Sequence, residues 1–411
     1  MCWKLARSPK ATKIYCAPGN GGTRLVAENV AIPDTDIERL ADFALQAGID
    51  LTVVGPEMPL ALGLVDEFER RGLRAFGPSR KAAELEWSKI FAKQFMDRHK
   101  IPTGRFKVAD SADKARAILR SGEFGWPVVL KADGLAAGKG VIIAKTPAEA
   151  ESAVRAIMDQ RQFGEAGNRL LIEEFLRGQE VSFIVVADGA QVLPLVTTMD
   201  HKAAFDGGQG PNTGGMGTIS PSPFLTKKTF ADVMTGIVMP TVTRMREEGR
   251  KYKGALYCGL ILTADGPRVL EFNCRFGDPE TQPQMLRLES DLVDILMAAV
   301  EENVLENEVH WSEKAAGCVI LASGGYPGPY EKGKAIRGLE TAAERSGIVV
   351  FQAGTKFENG ATLTNGGRVL GVCAAEKSLA AAMDRIYEAI ADIRFDGMHY
   401  RRDIGAARSD S

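Results

Sequence analysis

Clustered glycine limits this fold more than any other feature of the chain. The sequence carries 44 glycines in 411 residues, gathered in runs such as 134–140 and 207–217. Glycine loses the most conformational freedom on folding, so such runs do not build element interiors. They mark loops, and the loops sit at the ends of apolar runs of strand length. Residues 13–16 lead into Ala17-Pro18-Gly19-Asn20, 50–54 into Gly55-Pro56-Glu57, and 74–76 into Gly77-Pro78-Ser79. Helical spacing over 37–47 and 60–71 separates these strands. Strands alternating with helices on short connections predict a parallel α/β sheet at the N-terminal end. Ligands on such sheets bind at the carboxyl ends of strands, where Gly19, Asn20, Gly55, Pro56 and Glu57 lie.

The pattern then changes. A long helical stretch over 81–100 is stopped by Pro102, and 111–119 reads as another helix. Strands over 128–131 and 141–144 flank a glycine-rich loop, a helix covers 147–158, and 170–176 is a strand. Asp188-Gly189 and Asp265-Gly266-Pro267 mark two hairpins. Residues 286–300 read as one helix. A new mixed segment begins near Ser312 and ends in a helix over 379–390. At about 150 residues per domain, the length predicts two to four domains.

Composition excludes several classes. No run approaches the roughly 18 apolar residues of a membrane helix. Lys+Arg 51 against Asp+Glu 53 leaves a net charge of −2, without the basic excess that a nucleic-acid partner demands. The six cysteines form no C-x-x-C pair, so neither a zinc cage nor a disulfide framework is signalled. The expectation is a reduced, cytoplasmic chain.

Four segments carry chemistry. In Lys131-Ala132-Asp133-Gly134-Leu135-Ala136-Ala137-Gly138-Lys139-Gly140, bare backbone N–H groups beside lysines suit a phosphate. The spacing is one residue short of a P-loop and the run continues as strand, so it reads as a flap between two strands. In Glu173-Glu174-Phe175-Leu176, followed by Glu180, strand-end backbone groups can meet an adenine edge and a carboxylate can hold ribose hydroxyls. A charged strand end before a turn is the simpler reading there. In Glu271-Phe272-Asn273-Cys274-Arg275-Phe276-Gly277-Asp278-Pro279-Glu280, alternation puts Glu271, Asn273 and Arg275 on one face and the aromatic residues on the other. A carboxylate, an amide oxygen and a guanidinium together fit magnesium and a nucleotide phosphate. The Asp200-His201-Lys202 segment and the glycine-rich run from Asp206 to Gly217 read as a shaped loop near a small ligand, too rich in glycine to pack as core. His201 alone reads as a satisfied histidine.

In this order the segments resemble one family, the phosphoribosylamine–glycine ligases of the ATP-grasp superfamily. Gly324-Gly325-Tyr326-Pro327-Gly328, the run 364–371 and Tyr400-Arg401-Arg402-Asp403-Ile404-Gly405 extend the resemblance nearly end to end. It implies ATP, Mg²⁺ (or Mn²⁺), and the small-molecule substrates glycine and 5-phosphoribosylamine, joined through a glycyl phosphate in purine biosynthesis. By position it assigns Lys89, Lys131, Gly138, Lys139, Gly140, Glu173, Glu174, Phe175, Leu176 and Glu180 to ATP. Glu271 and Asn273 go to the metal, and Arg275 is the catalytic cation. Asp206, Asn212, Thr213 and Gly214 face glycine; Gly19, Asn20, Gly55, Pro56 and Glu57 face 5-phosphoribosylamine.

The implied fold is α/β and α+β. An N-terminal parallel α/β domain (1–86) precedes a central ATP-grasp domain (87–105 and 176–311) with a small lid (106–175). A C-terminal mixed domain (312–411) follows. The family opens with a strand, a glycine-rich loop and half a helix, whereas this chain starts at Met1-Cys2-Trp3-Lys4-Leu5. That departure suggests a misplaced start, a first domain lacking its first strand and, as the alternative, an inactive or weakly active ATP-binding member. A monomer without nucleic-acid or membrane partners completes the expectation.

Overall fold

The computed structural model describes residues 1–135, 140–306 and 308–406. At the N-terminal end, Tyr15–Cys16 pairs with Glu28–Asn29 and Thr52–Val53 with Ala75–Phe76, both parallel as the alternation predicts. They form two separate two-stranded pairs rather than one sheet.

Two antiparallel four-stranded sheets follow. The smaller unit orders its strands Phe106–Ala109, Leu170–Glu174, Val128–Ala132, Val141–Ala144. It closes over its own core, including Val128, Leu130, Val154, Ile157 and Ile172. The central sheet is Val192–Pro194, Gln179–Asp188, Lys253–Thr263, Gly266–Asn273. The chain crosses between the sheets over 175–178. The central sheet shares one core with the N-terminal helices, joining Leu60, Phe68 and Leu85 to Val181, Phe183 and Leu256. Both expected hairpins form. Asp188 Oδ1 accepts from the N–H groups of Ala190 and Gln191, at 2.9 and 2.7 Å, and Gly189 supplies a φ of +101° that a side chain would resist.

A third sheet, antiparallel throughout, runs Met199–Asp200, Gly217–Ser220, Ala315–Ala322, Arg368–Glu376, Ile348–Gln352. Its first two strands come from the segment between the central strands. The Leu379–Ile390 helix packs on it, with Ser378 as N-cap.

Three expected helices are each broken in two. The 60–71 stretch splits at Gly63, whose φ of +89° ends Glu57–Leu62 before Leu64–Arg70 begins. The 81–100 stretch splits into Arg80–Trp87 and Lys89–Arg98 at Ser88. Ser88 Oγ accepts from Phe91 N–H at 3.1 Å, a cap contributing about 1 kcal/mol. The 286–300 stretch splits at 288–291, where Asp291 caps Leu292–Val300. The glycine-rich run beginning at Asp206 also differs from a plain loop. Ala203–Phe205 and Gln209–Asn212 pair as a small ribbon, and Gly217 opens a fully buried strand. Gly217 is the residue that fits there, since a Cβ would stand 2.7 Å from Cys318 O.

Candidate active site

The site grows from the end of the Gly266–Asn273 strand. Facing strand residues run Gly259↔Glu271 and then Leu260↔Val269, so Leu270 is an extra residue, a β-bulge. The bulge re-aims the strand: buried Val269 and Phe272 are three apart, and Glu271 and Asn273 are left half-buried on the open face. Phe272, Cys274 and Phe276 go into the core, as the alternation predicts.

Cations converge on that face. Lys131 Nζ donates to the bulge carbonyl of Leu270 at 3.2 Å and lies 3.1 Å from Glu173 Oε1. Lys202 Nζ stands 3.6 Å from Glu180 Oε2 and 3.9 Å from Glu271 Oε1. Lys89 Nζ donates to Gly134 O at 3.2 Å, at the mouth of the glycine-rich loop. Arg275 Nε lies 3.1 Å from Glu57 Oε2, and its Nη2 3.5 Å from Glu86 Oε1. The structure thus brings together Lys89, Lys131, Glu173, Glu180, Glu271, Arg275 and Glu57. Beside Lys89, a cavity of about 500 Å³ opens between Trp87, the Asp133-Gly134-Leu135 turn and Phe163.

The electrostatics follow from this crowding. Burial works to raise the pKa of Glu271, but Lys202, Lys131, Lys89 and Arg275 outweigh it and hold the carboxyl below its ordinary value. Burial, with Lys131 adding to it, lowers that of Lys89 despite Glu271. Burial would also lower Lys202, yet Tyr257, Glu271, Glu180 and Asp200 hold it well up. The Arg275 guanidinium stays charged because Glu86 and Glu57 overcome its desolvation.

Other predicted residues lie around this centre. Glu174 carries an ion pair with Arg105 at 2.7 Å, and the sheet ladder ends there, leaving Phe175 and Leu176 in the crossing between sheets. Gly140 O accepts from Ala132 N–H at 2.8 Å; Gly138 and Lys139 lie outside the described residues. Gly55 and Pro56 are exposed just before Glu57, the first residue of its helix. Asn20 ties the N-terminal segment to the third sheet through Gln352 O and Ala353 O, at 2.9 and 3.1 Å. Asp206 Oδ1 accepts from Arg402 N–H at 2.7 Å, anchoring the ribbon to the C-terminal segment. Asn212 is exposed at the ribbon end, and both the N–H and the hydroxyl of Thr213 donate to Lys202 O at 2.8 Å. Gly214 lies between Tyr326 and Arg368, whose Nη1 donates to Gly214 O at 2.7 Å. Buried His201 hydrogen-bonds Gly217 O through Nδ1 and accepts from Gly405 N–H through Nε2, a structural histidine.

Sequence reasoning assigned no role to Glu86, Lys93, Lys202, Arg368, the half-buried Asp200 or the buried Glu280. Glu280 Oε1 accepts from Ser182 Oγ and Tyr257 OH at 2.8 and 2.9 Å. Burial and the neighbouring Glu280 hold the Asp200 carboxyl well above the ordinary carboxylate range. A signal for two of them existed: Glu86 and Lys93 are charged residues among the apolar positions of their helices.

Two sheet-bearing units, with Lys131 from the smaller sheet and Glu271 from the central one, meet at a cluster of cations and strand-end carboxylates, the arrangement the resemblance to ATP-grasp ligases implies. Three family domains match the chain: the Phosphoribosylglycinamide synthetase N domain over 1–86, its ATP-grasp (A) domain over 87–281, and its C domain over 316–407. The phosphoribosylamine–glycine ligase of Escherichia coli K12 is 50% identical over 409 residues, covering 98% of this chain and 95% of that one. The ligase of Caldanaerobacter subterraneus is 49% identical over 403 residues, with 98% and 95% covered. The crystal structure of the Thermotoga maritima phosphoribosylamine–glycine ligase superposes with a TM-score of 0.84 at 31% identity, covering 98% of this chain and 96% of that one. The chain belongs to the phosphoribosylamine–glycine ligase family.

Proposed function

We propose that this chain joins glycine to 5-phosphoribosylamine in two steps on one ATP. The γ-phosphoryl group passes to the glycine carboxylate, giving glycyl phosphate and ADP. The amine nitrogen of 5-phosphoribosylamine then attacks the acyl carbon; the C–N bond forms, the C–O bond to phosphate breaks, and the amine gives up its proton. The products are glycinamide ribonucleotide and phosphate. One observation carries this reading: Lys89, Lys131, Lys202 and Arg275 converge around Glu271. No side-chain nucleophile is required, because positioning and charge neutralisation do the chemistry.

In this reading Lys89, Lys131 and the 138–140 flap hold the phosphates, with 173–176 at the adenine and Glu180 at the ribose. Arg275, fixed by Glu57 and Glu86, faces the acyl phosphate. Asp206 and the 212–214 turn lie toward glycine, and Gly19, Asn20 and 55–57 toward 5-phosphoribosylamine. Glu271 and Asn273 would hold Mg²⁺ or Mn²⁺. Their hard oxygens fit it, and no group of three His, Cys, Asp or Glu among the described residues competes. Such an ion takes few protein ligands and completes its shell with phosphate and water, neutralising phosphate charge when bound. The matched N, A and C segments and the self-contained core of the lid support a division into 1–86, 87–105 with 176–311, 106–175, and 312–411. Among the described residues no helix is long and apolar enough to cross a membrane. We place the enzyme in the cytoplasm, as a monomer.

The test is ADP release that needs both glycine and 5-phosphoribosylamine. Release that ignores either substrate, or none with both present, would sink the proposal. The alternative, an inactive or weakly active ATP-binding member, is not favoured, because the described site keeps its convergent cations and carboxylates.

A further inference from the structure

The ribbon formed by Ala203–Phe205 and Gln209–Asn212 has little of its own to hold it. Its strands face each other at Ala203↔Asn212 and Phe205↔Gln209, with an irregular register between. Gln209–Asn212 is exposed throughout, and Gly207 and Gly208 turn the chain at φ +69° and +70°. A two-stranded ribbon is marginal in water by itself, and glycine loses the most freedom on being fixed. What fixes this turn comes from the 400–405 run, at the far end of the chain. The Arg401 side chain is 2% exposed and forks onto Asp403, Nε to Oδ1 and Nη2 to Oδ2, both at 2.7 Å. Its Nη1 donates to Ala203 O at 3.2 Å. Asp403 Oδ2 also accepts from Gly207 N–H at 2.8 Å, in the turn itself. Next to it Asp206 Oδ1 accepts from Arg402 N–H, while the Arg402 side chain stays exposed beside the Tyr400 ring. The charges that meet here are thus Arg401 against Asp403 and Asp206, with Arg402 at the surface. Tyr387 OH donates to Arg401 O at 3.0 Å and accepts from Ile404 N–H at 3.2 Å, so the run is itself fastened to the Leu379–Ile390 helix.

We propose that Asp403, held by Arg401, is a positioning residue for glycine: the pair pre-forms the 203–212 ribbon, so that glycine meets a shaped site and need not order it on binding. Asp403 is not itself a ligand, since both its oxygens are taken up by Arg401 and Gly207. It acts through the turn at Gly207 and the neighbouring Asp206. Ordering a loose segment on binding lowers affinity, and fixing it beforehand raises affinity without any new contact. The inference rests on the reading that Asp206 and the 212–214 turn lie toward glycine. It gives the C-terminal domain a part in a site built on the central sheet.

The test is steady-state ADP release by the full chain and by its D403A and R401M/D403A variants, with amide hydrogen exchange over 203–213 followed alongside. The double variant also removes the guanidinium that D403A leaves buried without its fork, and it decides by the same criteria should D403A fail to fold. In both variants KM for glycine is expected to rise at least about tenfold, the scale of one lost charge-assisted hydrogen bond. Turnover at saturating glycine, and KM for ATP, are expected to stay within about twofold, because neither shares a partner with Asp403. Exchange over the ribbon is expected to quicken. A merely structural role would lower kcat through loss of active enzyme and leave KM for glycine alone. That result, an unchanged KM for glycine, a rise in KM for ATP as large as that for glycine, or unchanged exchange over the ribbon would each overturn the proposal. Absence of glycine-dependent ADP release in the wild type would overturn the functional reading itself, so the two failures are distinguishable.

Discussion

Replacing Glu86 by Gln is expected to change how stability depends on pH, by an amount that the structure sets. Glu86 sits on Arg80–Trp87 with its side chain 7% exposed. Its Oε2 accepts from Cys274 N–H at 2.6 Å, and its Oε1 lies 3.5 Å from Arg275 Nη2. Burial raises its pKa from 4.5 to about 7, against the pull of Arg275 and the Cys274 N–H. Between those two values the folded chain holds more protons than the unfolded one, so stability falls as pH rises through the window and levels off above about 7. A shift of that size corresponds to about 3 kcal/mol. Gln keeps the shape and an acceptor for Cys274 but does not titrate. The stability of E86Q minus that of wild type should therefore climb by about 3 kcal/mol from pH 4.5 to 7.5. Urea unfolding at a series of pH values, followed by the fluorescence of neighbouring Trp87 and the other tryptophans, measures the difference directly. A flat difference, or one that falls as pH rises, would refute the account of Glu86 as a desolvated acid.

Other expected outcomes are these. Arg275→Ala should remove ADP release while ATP affinity is kept; it should also lower stability chiefly above about pH 7, where Glu86 is ionised and loses its cation. Retained turnover would take Arg275 out of the mechanism. Gly215→Ala should lower stability by at least about 2 kcal/mol. Its φ is +113°, and a Cβ would stand 2.4 Å from Pro279 Cδ and 2.6 Å from Asp200 Oδ1. A thermal melt at the wild-type midpoint would contradict this. Glu271→Gln should raise the divalent-cation concentration for half-maximal ADP release by about tenfold or more. An unchanged cation requirement would separate Glu271 from metal binding.

Local rules of the chain explain much of the fold. Asp188-Gly189 and Asp265-Gly266 are turn chemistry, and both hairpins form around them. The alternation from Phe272 to Phe276 sends the aromatic side chains into the core and leaves Glu271 and Arg275 toward the site, and it persists past the end of the strand at Asn273. The three broken helices were not legible, because their breaks answer to distant partners as well as to neighbours. Ser88 shows this: it caps its own helix and also donates to Asp133 Oδ1 at 3.0 Å, a residue just beyond a strand of the smaller sheet. The ribbon that begins after Lys202 looked like a loop because its pairing is closed by Arg402 and Asp403 from the far end of the chain.

By itself, then, the sequence determined which residue types could meet an anion, which strands would alternate, and to which family their order belongs. Those properties depend on chemistry and period, both of which are local. Only the tertiary structure decided the partners of each charge. A bulge at Leu270 turned a carbonyl toward Lys131, two lysines from different elements closed on Glu173, and Arg275 came to rest between Glu57 and Glu86. The interaction between charges depends on distance and burial, and neither is a property of the chain until it has folded.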